Sequence, residues 1–173
     1  MVTIIYGSNT MNTEFVCQRL QREFGKEKAR LLNVREATVA DLEEAENLIF
    51  ATSSWGSGSL QDDWERFFPK LDELDFAGKR VALLGVGDQE NYPDSFADAL
   101  VHLADLVRKR GGTLVGETST EGYSFSRSRA QEEEGVFVGL IVDEDNQADR
   151  TDERLHTWAI RLKKLFVGNS AEQ

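Results

Sequence analysis

Short apolar runs alternate with amphipathic stretches along most of the chain. Residues 2–6, 29–34, 47–52 and 80–85 are largely apolar and begin or end beside polar, loop-forming residues. Runs of this kind are typical of strands that are buried on both faces of a parallel sheet. The pattern therefore predicts four strands in the first half of the chain.

The stretches between and after these runs repeat their apolar residues at helical spacing. Gly25 and Gly111 stand where two of the predicted helices should stop, and Thr38 and Asp41 have the spacing of a helix cap. Pro69 is expected to kink or end the third helix. The predicted helices cover residues 15–24, a short acidic segment after Thr38, residues 60–71, a stripe from Phe96 to Val107, and residues 151–167.

A fifth strand is predicted in two pieces. Residues 113–117 begin it, the polar segment 118–135 interrupts it, and the apolar pattern resumes at residues 136–142. Strands that alternate with helices imply right-handed crossovers and a mostly parallel sheet covered on both faces. We therefore expect a three-layer α/β sandwich whose fifth strand is split by an insertion. Residues 1–168 should form a single domain, with 169–173 as a frayed tail.

The loop after the first predicted strand is rich in small polar side chains. Residues 8–13 include three hydroxyls and two side-chain amides, and a helix begins directly after them. The free N–H groups of a helix's first turn add further donors for a negatively charged group. This loop is interpreted as an anion cradle.

Two further loops leave the carboxyl ends of strands and carry an aromatic residue among small ones. Trp55 follows the third strand and precedes glycines and serines, and Tyr92 follows the fourth strand. Ligands of parallel sheets bind at this edge. Two such aromatic side chains can stack on the faces of a planar heterocycle. Trp64 and Trp158 instead fall on helical stripes and are predicted to be core residues.

Charge and cysteine content narrow the possible partners. The net charge is −11 and the isoelectric point is near 4.7, so nucleic acid and anionic membranes would be repelled, whereas a basic protein surface would be attracted. No apolar run reaches the length of a membrane span. The single Cys17 cannot form an internal disulfide or a cysteine metal site, and His102 and His156 lack companion ligands, so we expect a cytoplasmic protein without a metal.

Taken together, these motifs resemble the flavodoxins, specifically the long-chain type with an insertion in the fifth strand. The resemblance covers nearly the whole chain. It rests on Gly7-Ser8-Asn9-Thr10 with Asn12-Thr13-Glu14, Trp55 with Gly58-Ser59-Leu60-Gln61 and Asp63-Trp64, Gly87-Asp88-Gln89 with Tyr92-Pro93, Gly122-Tyr123, Phe137 to Leu140, Asp145-Asn146-Gln147, and Thr151 to Arg154.

This resemblance implies a five-stranded sheet of order 2-1-3-4-5 that binds FMN. It implies a low-potential one-electron carrier with no catalytic residue. Its partners would be redox proteins with a basic docking face, such as an NADPH-dependent flavodoxin or ferredoxin reductase, and the protein would be a monomer. The implied FMN-binding residues are Ser8, Asn9, Thr10, Met11, Asn12, Thr13, Ser54, Trp55, Gly56, Ser57, Gly58, Val86, Gly87, Asp88, Tyr92, Ser95 and Asp145.

Within this set the resemblance also implies separate roles. Ser8 to Thr13 would seat the phosphate, Trp55 and Tyr92 would cover the two faces of the isoalloxazine ring, and Asp88 would line its pyrimidine edge. Glycine at position 56 would let the peptide after Trp55 rotate at little cost. The cradle has no lysine or arginine, so the negative field around the flavin should lower its potential.

Met11 departs from the family pattern, because glycine is usual at this position of the phosphate loop. If the position requires a positive φ, methionine there costs on the order of 1 kcal/mol. Alternatives to the electron carrier are an FMN-dependent quinone or disulfide reductase and a flavin-free regulatory relative. A phosphoacceptor domain of similar topology is disfavoured, because the first and third strands do not end in aspartates.

Overall fold

The computed structural model describes residues 1–55 and 58–167, without the side chain of Trp55. Ten strands and five helices lie in these residues. In chain order they are β1 (Val2–Tyr6), α1 (Asn12–Phe24), β2 (Ala29–Asn33), α2 (Val39–Glu44), β3 (Asn47–Trp55), β4 (Ser59–Leu60), α3 (Asp62–Leu71), β5 (Arg80–Val86), α4 (Leu100–Lys109), β6 (Thr113–Val115), β7 (Thr118–Ser119), β8 (Gln131–Glu133), β9 (Val136–Phe137), β10 (Leu140–Val142) and α5 (Ala148–Val167).

The central sheet confirms the predicted strand order. β2, β1, β3 and β5 lie side by side and parallel, and the fifth position is shared by two short strands. β6 pairs with Arg80–Ala82 of β5, and β10 pairs with Leu84–Val86 of the same strand. The fifth strand is therefore split, and β4 adds a short antiparallel pair at the end of β3.

The insertion extends further along the chain than predicted. Only Leu140–Val142 of the apolar run 136–142 joins the central sheet, whereas Val136–Phe137 pairs with β7 and β8 in a separate antiparallel sheet of three strands. Between the two pieces, Gly139 passes so close to β5 that a Cβ there would lie 2.1 Å from the Leu83 carbonyl oxygen. The chain changes sheets where it has no side chain.

Two helix predictions also need correction. α4 begins at Leu100, so Phe96 is a buried residue in the preceding turns and not part of the helix. Ala97 has a φ of 53°, which interrupts any helix that would start earlier. Pro69 lies inside α3 and does not end it, because the helix continues to Leu71, so only a kink remains of the two predicted effects.

Two apolar cores cover the two faces of the sheet. α1 and α5 pack on one face, where Leu20 and Trp158 are buried against β1, β3 and β5. α2, α3, α4 and the inserted strands pack on the other face, around Phe50, Trp64 and Phe137. The layers leave the carboxyl ends of β1, β3 and β5 side by side at one edge.

Candidate functional site

Three predicted loops meet at this edge and form a cleft of about 160 Å³. The cleft lies where the chain winding reverses, between β1 and β3, which is the usual ligand position in such sheets. Its lining residues are Thr10, Asn12, Thr13, Ser53, Ser54, Val86, Gly87, Asp88, Tyr92, Ser95, Ala97 and Asp145. All except Ser53 and Ala97 were predicted site residues.

The first loop has the groups that a phosphate requires. The Ser8 hydroxyl is buried and has no hydrogen-bond partner among the described residues. An unsatisfied buried hydroxyl is costly, so the site favours an acceptor at this point. The Thr13 side chain is buried at the start of α1, whose first N–H groups point out of the helix toward the loop. These donors fit a phosphate dianion bound without a lysine or arginine.

Met11 occupies the last loop position before α1. Its backbone has the positive φ for which a residue other than glycine costs conformational free energy. Its φ is 66° and its ψ is −8°, in the left-handed region. The side chain is 52 % exposed and makes no capping hydrogen bond with the helix. The residue therefore carries backbone strain that its side chain does not offset.

The tryptophan loop is described only at its two ends. Ser54 accepts a hydrogen bond from the Ala99 N–H at 3.0 Å, which ties this loop to the start of α4. Gly58 has a φ of 103°, and its carbonyl oxygen lies 3.3 Å from Nε2 of His102. The predictions for the Trp55 side chain, Gly56 and Ser57 lie outside the described residues, as does the predicted tail.

The second aromatic loop holds Tyr92 half-exposed at the edge of the cleft. The ring is 50 % exposed, and the Tyr92 N–H donates to the Asp88 carbonyl oxygen at 3.0 Å. The following Pro93 carbonyl accepts hydrogen bonds from Ser126 and Arg127 of the insertion. An exposed aromatic on a loop braced in this way can stack on a flat ring.

A buried carboxylate behind this loop was not predicted. Asp143 is fully buried and accepts hydrogen bonds from both the backbone and the side chain of Gln89 and of Asn146. The Asn146 amide also donates to Asp88 at 2.8 Å. Asp143 follows a buried apolar strand directly, and a polar residue at the carboxyl end of such a strand is the signal that could have identified it.

Hydrogen bonding and neighbouring charge shift the pKa values of two carboxyl groups of the site in opposite directions. Burial alone would raise the pKa of Asp88, but hydrogen bonds from Asn91 and Asn146 hold that pKa below its usual value. Partial desolvation, together with the charges of Asp88, Asp143 and Glu144, raises the pKa of Asp145. Asp88 therefore gives up its proton more readily than Asp145.

Asp88, Asp143 and Asp145 also form a group of carboxylates whose ligand atoms lie within 4.8 Å of one another. Asp143 uses both oxygens in the hydrogen bonds to Gln89 and Asn146. Those bonds fix the position of Asp143, and the bond from Asn146 to Asp88 holds these two carboxylates close together.

The remaining predicted core residues are buried as expected. Cys17 and Trp64 are fully buried, and Trp158 is 2 % exposed. Burial raises the pKa of the Cys17 thiol well above its ordinary value, so the thiol is unreactive. No helix in the described part of the chain is both long and apolar enough to cross a membrane.

Comparisons with known proteins agree with this fold. The flavodoxin family model matches residues 4–158. A flavodoxin of Nostoc sp. is 44 % identical over 165 residues, covering 95 % of this chain and 96 % of the relative. Flavodoxin 1 of Escherichia coli is 40 % identical over 161 residues, covering 93 % and 92 %. The crystal structure of Fusobacterium nucleatum flavodoxin bound to flavin mononucleotide superposes with a TM-score of 0.90 at 34 % identity, covering 95 % of this chain and 98 % of that one.

Proposed function

Because the chain belongs to the flavodoxin family, we propose that its cleft binds one FMN non-covalently and that the protein carries single electrons between redox proteins. Members of this family are electron-transfer proteins and not enzymes, which removes the quinone or disulfide reductase alternative. The observation that carries the assignment of the site is the buried, unpartnered Ser8 hydroxyl inside a loop of neutral donors at the start of α1.

The protein's own residues bind and orient the cofactor, while FMN itself supplies the one-electron chemistry. We assign the phosphate to Ser8 through Thr13, with α1 adding its N-terminal partial positive charge. Ser54 and Asp145 would lie near the sugar chain or the phosphate. Tyr92 would cover one face of the ring system, and Trp55 with Gly56 to Gly58 would cover the other. Val86, Gly87, Asp88 and Ser95 would line the ring's polar edge.

The charge distribution supports a role at low potential. Asp88, Asp143 and Asp145 lie together at the edge of the cleft, and the phosphate loop contains no cation to offset them. A negative field disfavours added negative charge on a nearby redox group, so the second reduction becomes harder. A flavin bound in this cleft should therefore be a strong reductant once it is fully reduced.

The net charge of −11 also indicates which kind of protein partner the carrier binds. An acidic surface is steered toward basic docking faces, and an NADPH-dependent flavodoxin or ferredoxin reductase is the proposed electron donor. We further propose that the protein is a cytoplasmic monomer, that residues 1–168 act as one domain, and that the split fifth strand marks it as the long-chain type.

The first test is the visible spectrum of the purified protein, followed by identification of the released cofactor. We expect a yellow protein that releases FMN, and a colourless protein that stays colourless when FMN is added would refute the proposal. Rapid NADPH oxidation by this protein alone would contradict the carrier role.

The phosphate site is tested by measuring the affinities for FMN and for riboflavin, which lacks the phosphate. Ser8→Ala should weaken FMN binding about fivefold, the equivalent of one hydrogen bond, and leave riboflavin binding nearly unchanged. Ser126→Ala is the matched control, because the Ser126 hydroxyl is exposed and makes no hydrogen bond among the described residues. Equal losses for both ligands would place the phosphate elsewhere.

A further inference from the structure

Gln61 is a fully buried polar side chain at the point where α3 begins. Its carbonyl oxygen accepts hydrogen bonds from the N–H groups of Asp63 at 3.0 Å and Trp64 at 3.2 Å, and so caps the helix. Its amide nitrogen donates to Oδ1 of Asn9 at 2.7 Å and to Oδ2 of Asp63 at 3.1 Å. One side chain thus joins α3 to the phosphate loop.

The surrounding contacts hold this side chain in place. The Ala51 carbonyl in the middle of β3 accepts hydrogen bonds from the Trp64 indole at 2.8 Å and from the Gly7 N–H at 3.2 Å. A Cβ on Gly7 would lie 2.1 Å from Oε1 of Gln61. Glycine at the end of β1 therefore leaves the space in which Gln61 reaches Asn9.

The hydrogen bond from Gln61 decides which end of the Asn9 amide faces the loop. Asn9 is exposed, and an amide can present either an acceptor oxygen or a donor nitrogen. With its oxygen held by Gln61, Asn9 has its NH₂ group free to donate. The orientation matters because residues 7–14 contain no lysine or arginine to attract an anion.

We propose that Gln61 is a positioning residue for the phosphate loop: through Asn9 it raises the preference of the cleft for FMN over riboflavin. Gln61 acts from behind the loop and does not touch the cofactor. The inference rests on the proposed phosphate site, and its measurable consequence is the ratio of the two dissociation constants, riboflavin over FMN.

Two variants change the contact in different ways. Gln61→Met keeps the size of the side chain and removes both polar atoms. Gln61→Glu keeps an oxygen for the helix cap but puts an acceptor where the donor was, so Asn9 should turn its NH₂ group toward it and away from the cleft. We expect the ratio to fall about fivefold in Gln61→Met, the equivalent of one hydrogen bond, and at least as far in Gln61→Glu.

A loss of helix capping alone must be separated from this effect. Thr38→Ala removes the capping box of α2, which lies away from the cleft, and should lower the thermal midpoint without changing the ratio. In an Asn9→Ala background, Gln61→Met should lower the ratio no further, because the residue through which it acts is gone.

The outcomes are distinguishable. A wild-type preference for FMN that both Gln61 variants retain would overturn the positioning role and leave the phosphate site intact. A further loss of the same size in the Asn9→Ala background would overturn the route through Asn9. A wild type with no preference for FMN would overturn the proposed phosphate site together with this inference.

Discussion

Replacing Met11 with glycine should stabilise the protein, although glycine also makes the unfolded chain more flexible. The Met11 φ of 66° lies in the left-handed region, where an L-residue with a Cβ costs about 1–2 kcal/mol. Glycine removes that cost but makes the unfolded chain more flexible, which costs about 0.4–1 kcal/mol. The net expectation is a gain of about 0.5–1 kcal/mol in the free energy of unfolding, or about 2 °C in the thermal midpoint.

Two control variants isolate the backbone effect. The free energy of unfolding is measured by urea denaturation of the flavin-free protein, followed by far-ultraviolet circular dichroism. Met11→Ala removes the exposed side chain but keeps the strain, so its stability should change by less than about 0.5 kcal/mol. Thr10 is not among the described non-glycine residues with a positive φ, so Thr10→Gly should lower stability by about 0.4–1 kcal/mol. If Met11→Gly lost as much stability as Thr10→Gly, the strain argument would be refuted.

Two more predictions follow from the charges and phenols of the site and core. Asp145→Asn should raise the potential of the flavin's second one-electron reduction by ~35 mV, the effect of removing a unit charge at about 10 Å with an effective dielectric constant of about 40. Glu133→Gln, in the inserted sheet, is the control and should leave this potential unchanged. Equal shifts for the two variants in a spectroelectrochemical titration would contradict the prediction. Burial and the Glu14 carboxylate raise the pKa of Tyr6 from 10.0 to about 12, and burial does the same for Tyr123. The unfolded chain therefore loses these protons first, so the contribution of these two tyrosines to folding stability is constant below about pH 10 and falls as pH rises toward 12. Tyr6→Phe should make that fall shallower in urea denaturation at increasing pH, and an unchanged slope would exclude Tyr6 as a contributor.

The parallel sheet and the identity of the three ligand loops were predictable from local pattern, whereas the order of the strands was implied by the resemblance to the flavodoxins. Short apolar runs separated by helical periods indicate a parallel sheet regardless of how the layers pack, and loops at strand ends then share one edge. The prediction placed ten residues that now line a single cleft. Even the strained residue had a signal, because Met11 stands where the family usually has glycine, and its φ is positive.

Packing between distant segments decided what the pattern did not. Apolar spacing alone reads residues 136–142 as one strand, but the contact of Gly139 with β5 sends Val136–Phe137 into a different sheet. Likewise, Phe96 shares the helical spacing of α4, although the left-handed backbone of Ala97 lies between it and the helix. Periodicity reports which residues are buried, and not which neighbour buries them.

The polar contacts around the cleft depend most strongly on the tertiary structure. Asp143 meets Gln89 across 54 positions, and Gln61 meets Asn9 across 52. Hydrogen bonds of this kind need distances and angles that no local spacing encodes. The sequence by itself therefore determined the fold and the kind of ligand, whereas the tertiary structure decided which buried side chains hold the ligand-binding loops in position.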